Sequence, residues 1–170
     1  MKWYFAIQRG DAKKAIYWAK WREKYEYKNE ARFHTGPEPV KVDVTFLVYA
    51  YELNGEYEKA LERLNGEDNG CEPDVTNGHR ARLLYKLGQH EEAFKSYYLV
   101  LQFTIQRMKR KKVDDDAIRK SLREWKMCSD PDLLRQLNPF EYSSDFRNFM
   151  RKTYQTIPDR EQYDDVFELL

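Results

Sequence analysis

Three stretches decide this fold: Gly10-Asp11-Ala12-Lys13-Lys14-Ala15, Gly55-Glu56-Tyr57-Glu58-Lys59-Ala60 and Gly88-Gln89-His90-Glu91-Glu92-Ala93. In each, a glycine is followed five residues later by an alanine, with polar and mostly charged residues between them. Glycine takes the left-handed backbone conformation that ends a helix at little cost. Acidic residues suit the first turn of the next helix, and an alanine one turn further lets two helices approach closely. Each stretch therefore predicts a helix, a tight turn and a second helix.

Apolar residues on either side of these turns predict the paired helices. A helix buried on more than one side is expected before Gly55, from Val42, Val44, Phe46, Leu47, Val48, Tyr49, Ala50, Tyr51 and Leu53. After Gly88, one helical face collects Phe94, Tyr97, Tyr98, Leu101, Ile105 and Met108. Only nine residues precede Gly10, so the first helix is expected to be short, and the Gly and Pro residues in 35–39 predict a loop.

The pattern resembles the tetratricopeptide repeat, whose period is about 34 residues. Gly55 and Gly88 lie 33 positions apart, and Gly10 and Gly55 lie 45 apart, which fits one period plus an insertion of about eleven residues. The repeats are degenerate, and the resemblance covers about residues 1 to 110. It implies an all-α fold in which antiparallel helix hairpins form a right-handed superhelix. It divides the chain into repeats over 1–112 and a helical cap over 113–170.

Residues 113–170 carry helix signals without the repeat. Asp114 to Asp116 predict a capped helix start, followed by a stripe of Ile118, Leu122 and Trp125. A second start at 129–132 leads into Leu133, Leu134 and Leu137. Two later apolar faces are expected, made of Phe146, Phe149, Met150 and Tyr154, and of Tyr163, Val166, Phe167 and Leu170. These helices are expected to cap the repeats, and packing of the last one on a second copy, giving a homodimer, is the alternative.

The composition argues against several classes of protein. Charged residues make up 35% of the chain but nearly cancel, at a net charge of +1, which disfavours an overall electrostatic grip on nucleic acid or anionic lipid. No apolar stretch approaches the ~18 residues of a membrane span, and residues 1–7 are too few for a signal peptide. Cys71 and Cys128 form no metal or disulfide pattern, so a cytoplasmic protein is predicted. The aromatic residues, 15% of the chain, are expected mainly in the core.

No catalytic constellation is evident in the sequence. His34, His79 and His90 share no metal-ligand spacing, and no nucleophile can be paired with them. Carboxylates such as those of Glu56 and Glu91 sit where helix-end electrostatics explains them. The sequence therefore predicts no enzyme activity, no metal and no cofactor.

The resemblance implies a binding surface. In tetratricopeptide arrays the leading helix of each pair lines a concave groove that holds an extended peptide or a partner helix. The positions that would line it here are Tyr4, Val42, Thr45, Tyr49, Glu52, Arg82, Tyr85 and Lys86. Tyrosine mixed with arginine and lysine suits a peptide that brings both apolar and acidic groups. The predicted function is that of a protein-interaction module: an adaptor, a dedicated chaperone or a regulatory subunit.

Nucleic-acid binding through one basic run is the alternative function. That run contains Arg107, Lys109, Arg110, Lys111 and Lys112. It also fits the charged C-terminal turn of a long helix, where cations complement the helix dipole, and this is the favoured interpretation. Because neither a phosphate-binding loop nor a known nucleic-acid motif is present, a protein partner is preferred over nucleic acid.

Overall fold

The structure, a computed structural model, describes residues 2–123 and 144–169. The first hairpins comprise α1 (Lys2–Gln8), α2 (Ala12–Glu30), α3 (Thr45–Leu53) and α4 (Tyr57–Leu64). They are followed by α5 (Pro73–Lys86), α6 (His90–Arg110), α7 (Asp115–Arg123) and α8 (Ser144–Thr156). A 3-10 turn at Arg160–Tyr163 then leads into α9 (Asp164–Phe167). Within the described ranges the chain is helical and contains no strand, which confirms the all-α prediction there.

The three predicted turns are formed by the same backbone motif. Gly10, Gly55 and Gly88 have φ angles of 67°, 73° and 75°, in the left-handed region. At the second turn, the N–H of Gly55 donates to the carbonyl of Glu52, and that of Glu56 donates to the carbonyl of Tyr51, both at 3.0 Å. The same pair of bonds closes the other two turns. This is the Schellman motif, and it explains why each helix ends at its glycine.

The alanine of each stretch lies at a close helix contact. Ala15, Ala60 and Ala93 are 0% exposed, one turn into α2, α4 and α6. Each of these helices packs against the one before it, so α1 with α2, α3 with α4 and α5 with α6 form helical hairpins. The prediction that a small side chain lets consecutive helices pack closely is confirmed at all three positions.

The start of α3 differs from the prediction. The helix begins at Thr45, so Val42 and Val44 precede it instead of belonging to it. The N–H of Val42 donates to the carbonyl of Asp68 at 2.9 Å, and its carbonyl accepts from Gly70 at 2.8 Å. Because this isolated bridge with Asn69 uses both backbone groups of Val42, the residue is extended and cannot continue the helix.

The C-terminal elements pack on α6. Phe94, Tyr97 and Leu101 of α6 share one buried cluster with Ile118 of α7, Met150 of α8, and Tyr163 and Val166 beyond it. The predicted helix start at Asp114 is confirmed, because its carboxylate accepts from the N–H of Ala117 at 2.8 Å. The predictions for Trp125, Cys128, residues 129–137, the side chain of Phe146 and Leu170 lie outside the described residues.

None of the helices described above combines the length and apolar character needed to cross a bilayer.

Candidate functional site

A cluster of charged side chains joins the leading helices of the second and third hairpins. The Nε–H of Arg82 on α5 lies 2.9 and 3.0 Å from the two carboxylate oxygens of Glu52 on α3. Lys86, one turn further along α5, donates to the same carboxylate at 2.8 Å. Glu52 and Arg82 are only 3% and 2% exposed, so this ion pair is inside the protein and joins one hairpin to the next.

His79 extends the cluster on the other side of Arg82. Its Nδ1 lies 2.7 Å from Nη2 of Arg82. Because arginine can only donate, Nδ1 accepts, which places the proton of the neutral imidazole on Nε2. The ring of Tyr49 meets the imidazole edge to face with centroids 4.6 Å apart, and the guanidinium of Arg82 lies 5.1 Å from the centre of the same ring.

Burial and neighbouring charges fix the protonation of this cluster. Burial lowers the pKa of His79 well below its usual value, and the nearby Arg82 cation lowers it further. Burial alone would raise the pKa of Glu52, but Arg82 and Lys86 outweigh it and hold that pKa below the usual value. A neutral histidine and an ionised glutamate are therefore the forms that the folded protein keeps.

The eight residues expected to line a groove do not all lie on the surface. Those that are partly exposed are Tyr4, Thr45, Tyr49, Tyr85 and Lys86. Val42, Glu52 and Arg82 are buried, so the prediction that they line an open surface is wrong. Val42 is held in its backbone bridge, and Glu52 and Arg82 satisfy each other's charge between the hairpins. The Glu52–Arg82 pair thereby fixes α3 against α5.

Tyr85 borders a pocket that the sequence did not indicate. This pocket, of about 420 Å³, lies between α8 and the start of α6. The rings of Tyr85 and His90 are stacked with centroids 5.2 Å apart, and Phe149 meets Tyr85 edge to face at 5.0 Å. Lys152 and Glu91 add one charge of each sign to the lining, which thus combines apolar ring surface with polar groups.

The basic run forms the exposed end of α6. Arg107, Lys109 and Arg110 lie in its last turn, and Lys111 and Lys112 follow directly, all exposed. Lys112 has a φ of 59°, and the N–H of Val113 donates to the carbonyl of Met108, so Lys112 occupies the position that glycine holds in the other turns. The acidic residues Asp114 to Asp116 come next in the chain. This placement agrees with the interpretation as a helix terminus that complements its dipole.

Side chains that could bind a metal ion or act through a thiol are spread over the part of the chain that the structure covers. There, no group of three or more His, Cys, Asp or Glu side chains is placed to hold a metal ion. Cys71 is half-buried with its Sγ 3.6 Å from a carboxylate oxygen of Asp43, and burial raises the pKa of its thiol. A raised pKa leaves less of the reactive thiolate at neutral pH.

Compared with protein-family models, with curated proteins and with solved structures, the chain matches none. Its function is therefore inferred from its own residues.

Proposed function

We propose that the protein is a tetratricopeptide-like interaction module that holds a segment of a partner protein in the pocket beside Tyr85, between α6 and α8. In this module the hairpins α1–α2, α3–α4 and α5–α6 form a right-handed superhelix. Three turns with the same hydrogen bonds and three buried alanines support it, because they repeat one helix-pair unit along the chain.

The pocket beside Tyr85 is the observation that carries the binding proposal. Its volume of about 420 Å³ falls within the ~300–1,000 Å³ typical of ligand pockets. Tyr85, His90 and Phe149 supply ring surface for an apolar or aromatic side chain of the partner. The ammonium of Lys152 and the hydroxyl groups of Thr153 and Thr156 supply polar contacts for the adjoining partner backbone.

The buried cluster supports the proposal in a second way. Glu52, Arg82 and Lys86 fix α3 against α5, so the partly exposed Tyr49 and Tyr85 are held on elements that cannot shift separately. A surface that is already in its binding conformation loses less entropy when a partner binds. An adaptor, a dedicated chaperone and a regulatory subunit all need such a surface, and no catalytic chemistry is proposed for it.

Site-specific photo-crosslinking tests this function. A photo-reactive phenylalanine analogue is placed at position 152, beside the pocket, and at position 120 on the exposed side of α7 as the matched control. In cells that make the protein naturally, we expect position 152 to form an adduct with a defined partner and position 120 not to. The His90→Ala variant should lose that adduct, because it removes one wall of the pocket. Identical sets of adducts from positions 152 and 120 would contradict the proposal.

A further inference from the structure

The outer face of α2 carries aromatic rings that the core does not use. Tyr17, Trp21 and Tyr25 follow one another at four-residue spacing and are 62%, 54% and 55% exposed. The opposite side of the helix, at Ala15 and Ala19, is fully buried against the neighbouring helices. These three rings are therefore exceptions to the expectation that most aromatic residues lie in the core.

Lysines surround these rings on the same face. Helical spacing places Lys13 and Lys14 one turn before the rings, and Lys24 and Lys28 beside and beyond them, all exposed. We call Lys13, Lys14, Tyr17, Trp21, Lys24, Tyr25 and Lys28 the α2 outer face. It spans about 22 Å from Lys13 to Lys28.

Two of the three acidic residues of α2, Glu23 and Glu26, are paired with arginines outside this face. Glu26 pairs with Arg22 at 2.6 Å, and Glu23 accepts from Arg63 of α4 at 3.1 Å. At the start of the helix, partly exposed Asp11 contacts exposed Lys14 at 2.9 Å, an ion pair at the surface that solvent screens. The α2 outer face is therefore positively charged although the whole chain is nearly neutral, because residues 2–32 hold nine lysines and arginines against four carboxylates.

A pocket between α1 and α2 continues this surface. It measures about 240 Å³, and its lining includes three cations, the single carboxylate of Asp11 and two rings: Lys2, Arg9, Lys14, Asp11, Phe5 and Trp18. The ammonium of Lys2 lies 4.5 Å above the ring of Trp18, and Trp18 meets Trp21 edge to face with centroids 6.2 Å apart. Rings and cations thus run without interruption from the α2 outer face into the pocket.

We propose that the α2 outer face binds single-stranded nucleic acid. Proteins that bind single strands without sequence preference combine a basic track for the phosphates with aromatic side chains on which bases stack. Trp21 and Tyr25 are stacked on each other, with planes 8° from parallel and centroids 5.5 Å apart, and each is more than half exposed, so their outer ring surfaces are available to bases. The lysines at both ends of the rings contact the phosphates. A face of about 22 Å covers about six nucleotides at the roughly 3.4 Å spacing of stacked bases.

The composition of the face favours this ligand over a membrane surface. A helix that lies in a lipid interface separates an apolar face from a charged one, so that the apolar side enters the acyl region. On α2 the rings alternate with lysines, and the outer face contains no leucine, isoleucine or valine. Burying it in lipid would carry lysine ammonium groups along with the rings.

Fluorescence anisotropy with a labelled 12-nucleotide oligouridine tests the proposal. Wild type is compared with a Trp21→Ala, Tyr25→Ala variant and with a Lys24→Glu, Lys28→Glu variant. The matched controls are Phe33→Ala for an exposed ring elsewhere and Lys109→Glu, Lys111→Glu for the basic run of α6. All these side chains are exposed, and circular dichroism melting checks that each variant keeps the stability of wild type.

We expect wild type to bind at 50 mM salt, and both controls to bind as wild type does. The aromatic variant should raise Kd at least about tenfold, since each stacked base contributes about a factor of five or more. The lysine variant should also weaken binding, and it should reduce the salt slope of log K by about 1.4 if both lysines contact phosphates. A duplex of the same sequence should bind more weakly, because its bases cannot stack on the rings.

Four results would overturn the proposal. The first is no oligouridine binding by wild type at 50 mM salt. The second is loss of binding only in the Lys109→Glu, Lys111→Glu control, which would place the contact on α6. The third is unchanged affinity in the aromatic variant, which would leave only phosphate attraction. The fourth is binding to phosphatidylserine vesicles without binding to oligouridine, which would identify a membrane surface instead.

Discussion

Arg82 and Glu52 form an ion pair that is almost completely shielded from water, with the Nε of Arg82 2.9 and 3.0 Å from the two carboxylate oxygens. Such a pair holds α3 and α5 in one arrangement, because each buried charge depends on the other for its stabilisation. Removing one partner leaves the other buried and uncompensated, which costs far more than the intact pair contributes.

Glu52→Gln is expected to destabilise the fold by about 3–5 kcal/mol, because it leaves the Arg82 guanidinium buried without a counter-charge. Lys86→Met should cost clearly less, since the Lys86 side chain is 21% exposed and the Glu52–Arg82 contact survives. Urea unfolding followed by circular dichroism measures both. Equal losses of unfolding free energy in the two variants would show that the buried Glu52–Arg82 pair stabilises the fold no more than the Lys86 contact does.

Stability should fall as the pH is lowered through about 6.5, the usual pKa of histidine. The folded-state pKa of His79 lies well below that value, so the unfolded chain takes up the proton first and is favoured by acid. Between pH 7.5 and 5.5 this one site should remove about 1.4 kcal/mol. Glu52, with its lowered pKa, should stay ionised through this pH window. Its contribution to the stability should be lost only below about pH 4.3.

The matched variant for this experiment is His79→Gln, which keeps an acceptor for Arg82 but cannot titrate. Unfolding free energies of wild type and variant are compared at half-unit steps between pH 7.5 and 5.5. We expect the difference in unfolding free energy between wild type and variant to narrow as the pH falls. A constant difference would mean that His79 takes up its proton equally well in the folded protein.

Enlarging a hairpin alanine should destabilise the helix contact it lies in. Ala60→Leu adds volume at a position that is 0% exposed, and overpacking of this kind costs about 1–3 kcal/mol. Ala117→Leu, in the exposed first turn of α7, is the control and should change the stability by less than about 0.5 kcal/mol. Thermal melts of the two variants measure these changes in stability. An Ala60→Leu variant as stable as wild type would argue against close packing of α3 on α4.

The left-handed conformation shared by Gly88 and Lys112 predicts that two substitutions change the stability in opposite directions. Gly88→Ala meets no atom within 4 Å, so its cost of about 1–2 kcal/mol comes from the backbone conformation alone. Lys112→Gly should stabilise the protein by up to about 1 kcal/mol, because Lys112 holds the same conformation with a side chain. Denaturant midpoints measure both effects. The same sign in both variants would contradict a common left-handed geometry.

Local sequence patterns predict much of this fold. Gly10, Gly55 and Gly88 can be identified as helix ends because glycine is the residue that adopts the left-handed conformation most easily. Ala15, Ala60 and Ala93 can be identified as helix contacts because each small residue lies at the same distance from its turn. Each pattern spans five or six consecutive residues, and a pattern that short can be recognised in a single sequence.

The site requires information that local patterns do not contain. The Tyr85 pocket brings together residues as distant in the chain as Tyr85 and Ile157, which are 72 positions apart. Arg82 is expected on an open groove because the resemblance places the leading helix of each pair along it, and nothing in the sequence shows that Glu52 neutralises the Arg82 charge between the hairpins. The exposed rings of α2 do have a readable signal, since Tyr17, Trp21 and Tyr25 recur every four residues.

The bridge between Val42 and Asn69 has a mechanical consequence. Val42 belongs to the connection that leaves the first hairpin, and Asn69 to the connection that enters the third. The backbone bonds from Val42 to Asp68 and Gly70 therefore join the residues just before α3 to those just after α4, across the open end of the second hairpin. Splaying α3 and α4 apart at that end would have to break both bonds, so the second hairpin is closed at its base as well as at its Gly55 turn.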